Sequence, residues 1–373
     1  MTTSHTEFFS PSYALARERF LAAAAQAGAS VRSDLHPHRG RDGEALALDV
    51  AVLGDPSAAR RLLISSGCHG VEGFCGSGIQ LAALQDGGLG ELARAHGVAL
   101  VFAHALNPYG FSHIRRVTHE NVDLNRNFQD FSATLPVNAG YAQMHSLLLP
   151  QHWPPDAENQ AALAQWIALR GMAFVQEAVS GGQYAYADGL FYGGSAPTWS
   201  HGAVRRMLRQ HCAGATDLAW IDLHSGLGPS GHGERIFSTA AGPALEPGAP
   251  DPYLRASRWW GGGGATPLTS VEDGSTVSAR LSGTMADLPA QECPDTQTTK
   301  ITIEFGTLAP LQVLQALRAE QWLELHPKIG QAKRERIKRQ LFEAFFVDTP
   351  AWKGEVLRQG LQAIEQGVAG LAS

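Results

Sequence analysis

Four short apolar runs constrain this chain more than anything else in it, because each breaks into polar or glycine-bearing chemistry at or near its carboxyl end. They are Arg61 to Ser66, followed by Gly67-Cys68-His69; Val98 to Ala103, followed by Asn107-Pro108; Asp217 to Leu223, followed by His224; and Thr299 to Phe305, which contains Glu304. Runs of this length bounded by glycine or proline read as buried strands. A helical pattern over Gly78 to Gln85 separates the first two. Such alternation predicts a mostly parallel sheet with helices on both faces. In open α/β sheets ligands bind outside the carboxyl ends of the strands, which makes the polar residues there site candidates.

The rest of the chain fills in around this frame. Ser10 and Pro11 predict a helix start, as cap and first-turn residue, with Gly28 closing it. A polar stretch precedes a further strand at Ala45 to Leu53. Residues 130–200, with Pro150, Pro154, Pro155 and a glycine- and tyrosine-rich stretch at Gly181 to Gly194, interrupt the alternation and read as a helical and loop insertion near the site. Gly226 to Pro294 reads as loop-rich. Its run Gly261 to Gly264 is a linker or lid rather than a phosphate loop, since no Gly-Lys-Ser/Thr follows. Beyond Pro310 the pattern is helical, and the basic stretch Lys328 to Gln340 reads as a solvated helix face.

At 373 residues with 44% apolar and 17% charged, the chain can bury a large core and is not disordered. Its 29 basic against 35 acidic residues give a net charge of −6, which excludes a general electrostatic case for nucleic acid or an anionic membrane. No apolar run approaches the ~18 residues needed to span a bilayer, and the first residues lack the basic region of a secretory signal. Four cysteines without a C-x-x-C pair point to buried, reduced thiols and a cytoplasmic setting.

His69 and Glu72 stand three apart in a glycine-flanked turn after the first strand. Zinc takes His nitrogen at about 2.0–2.1 Å and carboxylate oxygen at about 2.0–2.2 Å, and Gly67 and Gly70 permit a turn tight enough for both to converge. A solvated His–Glu pair is the plain alternative. His224, at another strand end, completes a two-His, one-Glu set with a position left for water. Glu304 lies among Ile, Thr and Phe, where a carboxylate is costly without a purpose. That purpose is either a general base toward water at the metal or an ion pair with an arginine. The segment Asn107 to Phe128 is polar enough to be a site loop: Arg126 can fork onto a carboxylate, Asn125 can add a donor, and Asp123 can orient a metal-binding histidine.

Other chemistries fail on spacing. Ser77 lacks the G-x-S-x-G elbow, because Cys75 stands two before it. Gly76-Ser77-Gly78 is followed by Ile79, Gln80 and Leu81 rather than a dinucleotide fingerprint. Cys68 as a nucleophile is opposed by its neighbour, since adjacent residues on a turn point apart.

Taken in order, H-x-x-E, N-P-x-G, the arginine-led V-D-L-N-R-N-F, D-L-H-S and I-E-F-G resemble the zinc carboxypeptidase A superfamily. The wording GCHGVEG and IDLH also resembles its succinylglutamate desuccinylase and aspartoacylase branch, and the likeness runs from about Leu62 to Thr307. It implies a three-layer α/β/α sandwich around a mixed, mainly parallel sheet. The catalytic domain would span residues 31–310, after an N-terminal helical segment at 1–30 and before C-terminal helices at 311–373. One zinc per chain would be held by His69, Glu72 and His224, with Glu304 as general base. Asn125 and Arg126 would grip the substrate carboxylate and Asp123 would hold His69. Arg116 would stabilise the oxyanion, with Arg115 as competitor. The substrate would be a small peptide or an N-acyl amino acid. Carboxypeptidases of this kind place a tyrosine over the substrate, whereas Tyr253 is the only tyrosine between His224 and Glu304 and its DPYLRA setting differs. Ser275, Thr276 or Ser278 would then serve in the lid. A relative that had kept the fold without catalysis would have lost a ligand or the base, and all four residues are present.

Overall fold

Alternating side chains of one mixed sheet decide where this protein is dry and where it is open. The structure, a computed structural model, describes residues 5–238, 251–261, 267–271, 273–276, 278–279 and 281–373. Its strands are β1 (Ser30–Arg39), β2 (Ala45–Leu53), β3 (Arg60–Ser66), β4 (Val98–His104), β5 (Asp217–Gly226), β6 (Gly233–Phe237), β7 (Leu268–Ser270) and β8 (Gln297–Gly306). In space the order is β1-β2-β4-β3-β5-β8-β6-β7. The central β4-β3-β5-β8 block is parallel, while β1, β2 and β6 enter antiparallel to their inner neighbours.

On one face Leu62, Ile64, Leu100, Phe102, Ile221 and Ile303 join the larger core. The helices Tyr13–Gln26, Gly73–Gln85 and Pro350–Ala372 supply its cover, through residues such as Phe20, Ile79 and Ile364. On the other face Val50, Leu63, Val101 and Trp220 pack beneath Val204, Met207 and Leu208 of the helix Trp199–His211. This is the three-layer α/β/α sandwich. Along β5 and β8 that second face changes character. After Trp220 the side chains are Asp222 and His224, and beside them run Lys300, Thr302 and Glu304, paired in register as Trp220–Lys300, Asp222–Thr302 and His224–Glu304. The apolar ladder becomes a polar one just where a cavity opens.

Several sequence expectations shift. The first helix begins at Tyr13 with Ser12 as its cap, whose side chain accepts from the Leu15 N–H, so Ser10 and Pro11 precede it. The polar stretch before β2 is itself β1, an edge strand with only His36 buried, and so without the hydrophobic alternation that reveals a strand. Helix Gly73–Gln85 starts five residues before the expected Gly78. The loop-rich Gly226 to Pro294 contains β6, β7 and the helices Pro252–Trp260 and Leu288–Glu292. Gly262 to Gly264 lie outside the described residues. Residues 130–200 include helices Ala139–Leu148, Ala157–Arg170 and Met172–Ser180, and the chain after Pro310 forms Pro310–Leu325, Gln331–Phe345 and Pro350–Ala372. All four cysteines are buried and free, and among the described residues no helix is long and apolar enough to cross a membrane.

Candidate metal centre

Past the end of β3 the chain turns at Gly67, whose φ of +67° suits glycine. It then enters a short 3₁₀ turn, Gly70–Glu72, before the helix Gly73–Gln85. A Cβ on Gly70 would stand 2.1 Å from the carbonyl carbon of Gly110, so only glycine permits this close crossing with the short helix Pro108–Ser112. The Gly70 and Val71 N–H groups donate to the Arg116 and Arg115 carbonyls, which ties the turn to the loop beyond β4. The turn therefore sets His69 and Glu72 together, and β5 brings His224 to them.

The three residues have ligand atoms within 4.8 Å of one another and all are buried. Glu72 bridges the histidines: His69 Nδ1 lies 2.8 Å from Oε1 and His224 Nδ1 lies 2.8 Å from Oε2. Each outer nitrogen has a carboxylate beside it: His224 Nε2 meets Asp222 at 2.8 Å, and His69 Nε2 meets Asp123 at 3.2 Å, with Arg116 Nη2 donating to it from 2.8 Å. Two imidazoles presenting Nδ1 inward, with their far nitrogens held by carboxylates, are the donor set a zinc site uses. The chain's residues fit the ion. Asp222 is anchored in turn by the Ser65 hydroxyl at 2.6 Å, which accepts from the Trp220 indole N–H at 2.7 Å.

Electrostatics follow from this packing. Burial alone would raise the Glu72 carboxyl, but His69 and His224 overcome it and hold it below the usual carboxylate range. Burial likewise opposes charge on Asp123, and Arg116 and His69 reverse that. For His224 burial disfavours the imidazolium, yet Asp222 and Glu72 push its pKa up. Glu304 goes the other way. Burial, reinforced by the Glu72 charge, raises it to about 8, against His224, the Leu227 N–H and Arg116. That N–H donates to Glu304 Oε1 at 3.0 Å.

All eight sequence candidates gather here. His69, Glu72, Arg116, Asn125, Arg126, His224 and Glu304 line one cavity of about 510 Å³, and Asp123 sits behind it with no exposure. Arg116 donates to Asp123 Oδ2 at 2.9 Å and Glu72 Oε1 at 3.0 Å. Its neighbour Arg115 points away, to Glu320 at 2.7 Å and Gln321 at 3.2 Å, and is absent from the cavity wall. Arg126 is held by its own structure: Nε and Nη2 donate to the Ser180 carbonyl at 3.1 and 2.6 Å, at the end of helix Met172–Ser180, and Nη1 to the Asn125 carbonyl at 2.9 Å. The Asn125 side-chain oxygen accepts from the Met285 N–H at 3.1 Å. Phe191 lies under both arginines, 5.0 Å from the Arg116 guanidinium carbon and 5.8 Å from that of Arg126.

Of the lid candidates, Ser278 reaches the cavity wall, while the Ser275 hydroxyl accepts from the Ser270 N–H and that of Thr276 from the Ser278 N–H. Tyr253 packs edge-on against Phe237, centroids 5.4 Å apart, away from the cavity. Sequence reasoning missed Asp222 and Lys300. Both were visible as period-2 partners, in D-L-H and K-x-T-x-E, of residues already singled out.

A family model described as "Protein of unknown function (DUF2817)" matches residues 9–359. No curated protein matches. Among solved structures, the chain is similar to carboxypeptidase A from Helicoverpa armigera, at 12% identity and a TM-score of 0.52, covering 98% of this chain and 74% of that one. It is also similar to bovine thrombin-activatable fibrinolysis inhibitor in complex with tick carboxypeptidase inhibitor, at 13% identity and a TM-score of 0.54, covering 99% of each chain. The fold is that of the zinc carboxypeptidases.

Proposed function

Since the chain belongs to the DUF2817 family and has the zinc carboxypeptidase fold, we propose that it is a zinc-dependent hydrolase of an amide bond next to a free carboxylate, of the metallocarboxypeptidase type. The observation that carries this reading is the convergence of His69 Nδ1, Glu72 and His224 Nδ1 within 4.8 Å at strand carboxyl ends, on the cavity that Glu304 also lines. Zinc in such a set supplies Lewis-acid polarisation of a carbonyl and acidifies water.

The chain's own groups do the rest. Glu304, on the cavity wall beside His224, takes a proton from the attacking water and delivers it to the leaving amine. Arg116, fixed by Asp123 and Glu72, offers its guanidinium to the developing oxyanion, a contribution worth about 3 kcal/mol in well-placed cases. Asn125 and Arg126 set the register by binding the substrate carboxylate. The Arg126 guanidinium is pinned to the Ser180 and Asn125 carbonyls, which leaves N–H groups over for a ligand.

A second reading, an N-acyl amino acid deacylase of the succinylglutamate desuccinylase and aspartoacylase type, is favoured by one observation: Tyr253 packs against Phe237, and among the described residues no tyrosine lines the cavity as a carboxypeptidase lid would. Elemental analysis of the purified chain beside His69→Ala tests the centre. About one zinc per wild-type chain, lost in the variant, is expected; no metal in either after zinc is added back overturns it and favours a catalytically inactive binding relative. Long peptides then separate the two hydrolases, since a carboxypeptidase trims them and a deacylase does not.

A further inference from the structure

The cavity carries a cation that the mechanism above leaves without a task. Lys300 lies on β8 four residues before Glu304 and on the same face, about 13 Å away at the usual strand rise. Its ammonium sits 4.2 Å over the face of its cross-strand partner Trp220. Among the described residues it makes no hydrogen bond and no ion pair. Two carboxylates are within electrostatic reach, Asp222 and Asp287, but neither stands at ion-pair distance. Asp222 is committed to Ser65 and His224. Lys300 is half-buried on the cavity wall, so its ammonium is a cation facing that space without a counter-ion among the described residues.

We propose that Lys300 is the specificity-determining residue of this site, selecting a substrate whose recognised residue carries a side-chain carboxylate. This rests on the hydrolase reading for its setting. The geometry behind it is a ladder of side chains on one sheet face: His224 and Glu304 at the reacting end, Asp222 and Thr302 below, Trp220 and Lys300 deepest. An acidic side chain extending from the scissile end reaches back along the ladder toward the ammonium that sits over Trp220. Much of the remaining wall is apolar, with Val175, Val179, Ile236 and Leu314 among its residues, so among the described residues there the ammonium is the group that distinguishes an anion from a neutral isostere. The α-carboxylate falls to Asn125 and Arg126. The ligand is thus a dicarboxylate, supplied either by the acidic C-terminal residue of a peptide or by a free N-acyl acidic amino acid.

The test uses matched pairs on the full zinc-loaded chain: N-acetyl-L-glutamate against N-acetyl-L-glutamine, and peptides ending in Glu against Gln. Two readouts are taken, kcat/KM in the wild type and calorimetric affinity in Glu304→Gln. The acidic member is expected to win at least tenfold in one substrate arm, and the ratio to collapse toward one in Lys300→Met and to shift toward Lys-ending substrates in Lys300→Glu. The arm that shows the preference identifies the source. A wild-type ratio near one in both readouts, or one that Lys300→Met retains, overturns the assignment. Acidic preference in binding without turnover of any substrate keeps the role of Lys300 and overturns the hydrolase reading instead.

Discussion

Glu304 and the two histidine clamps make separable predictions. Glu304→Gln removes the proton acceptor while leaving His69, Glu72 and His224 untouched. The variant is expected to keep its metal and to lose about 10²–10⁴-fold in turnover, read by elemental analysis beside a rate assay. Asp222 and Asp123 act through the imidazoles they hold. Asp222→Asn is expected to weaken metal binding about 10–100-fold, measured by competition with a chelator. A buried histidine away from the site sets an acid limit. His104 has no exposure, stacks on Phe20 at 4.6 Å and meets the Ser77 hydroxyl at 2.9 Å through Nε2. Burial lowers its pKa to about 4. Because the fold prefers the neutral ring, this contribution is full above about pH 6.5 and is lost as pH falls toward 4, a loss of about 3 kcal/mol. Denaturant titrations across that window are expected to show a shallower pH dependence for His104→Gln than for wild type. Which residues would meet the metal was legible because H-x-x-E, D-L-H and I-E-F are local patterns. What lay unread was Lys300, because a lysine in a strand is ordinarily a solvated one, and only the parallel pairing with β5 shows it over Trp220.

At the scale of the element, the Gly70 crossing carries the geometry. Its contact is with backbone, so no side chain can move aside. Gly70→Ala is expected to cost about 1–3 kcal/mol or more and to shift His69 relative to His224, so metal affinity should fall together with the melting temperature. Element legibility followed burial. β3, β4 and most of β5 read directly because they are buried on both faces, and β8 because buried residues alternate along it. β1, exposed along most of its length, is held by its backbone ladder to β2, and no hydrophobic pattern announces that. β6 and β7 were hidden for a related reason. They are five and three residues long, and β6 joins the sheet through a strand that comes later in the sequence.

Of the two neighbouring arginines only Arg116 lines the cavity, and packing across the whole molecule is the reason. Arg115 is claimed by Glu320 of the helix Pro310–Leu325, which also takes Lys338 at 2.7 Å. This buried cluster fastens the C-terminal helices to the loop that carries Arg116. Glu320→Leu removes the nearer carboxylate from both cations, leaving Glu324 at 3.0 Å from Lys338 and 4.0 Å from Arg115, and is expected to lower stability by about 1–3 kcal/mol, seen in thermal melts, with turnover reduced through the displaced loop.

The strand order has a consequence for how the protein comes into being. A ribosome releases β6 and β7 before β8, yet β8 lies between β5 and β6 in the finished sheet. During synthesis the two outer strands must wait, unpaired with the body, until the strand bearing Glu304 emerges and slots in. His69, Glu72 and His224 can gather earlier, since β3 and β5 are neighbours. A nascent chain therefore brings His69, Glu72 and His224 together first, and the cavity they share with Glu304 is completed only when the sheet closes.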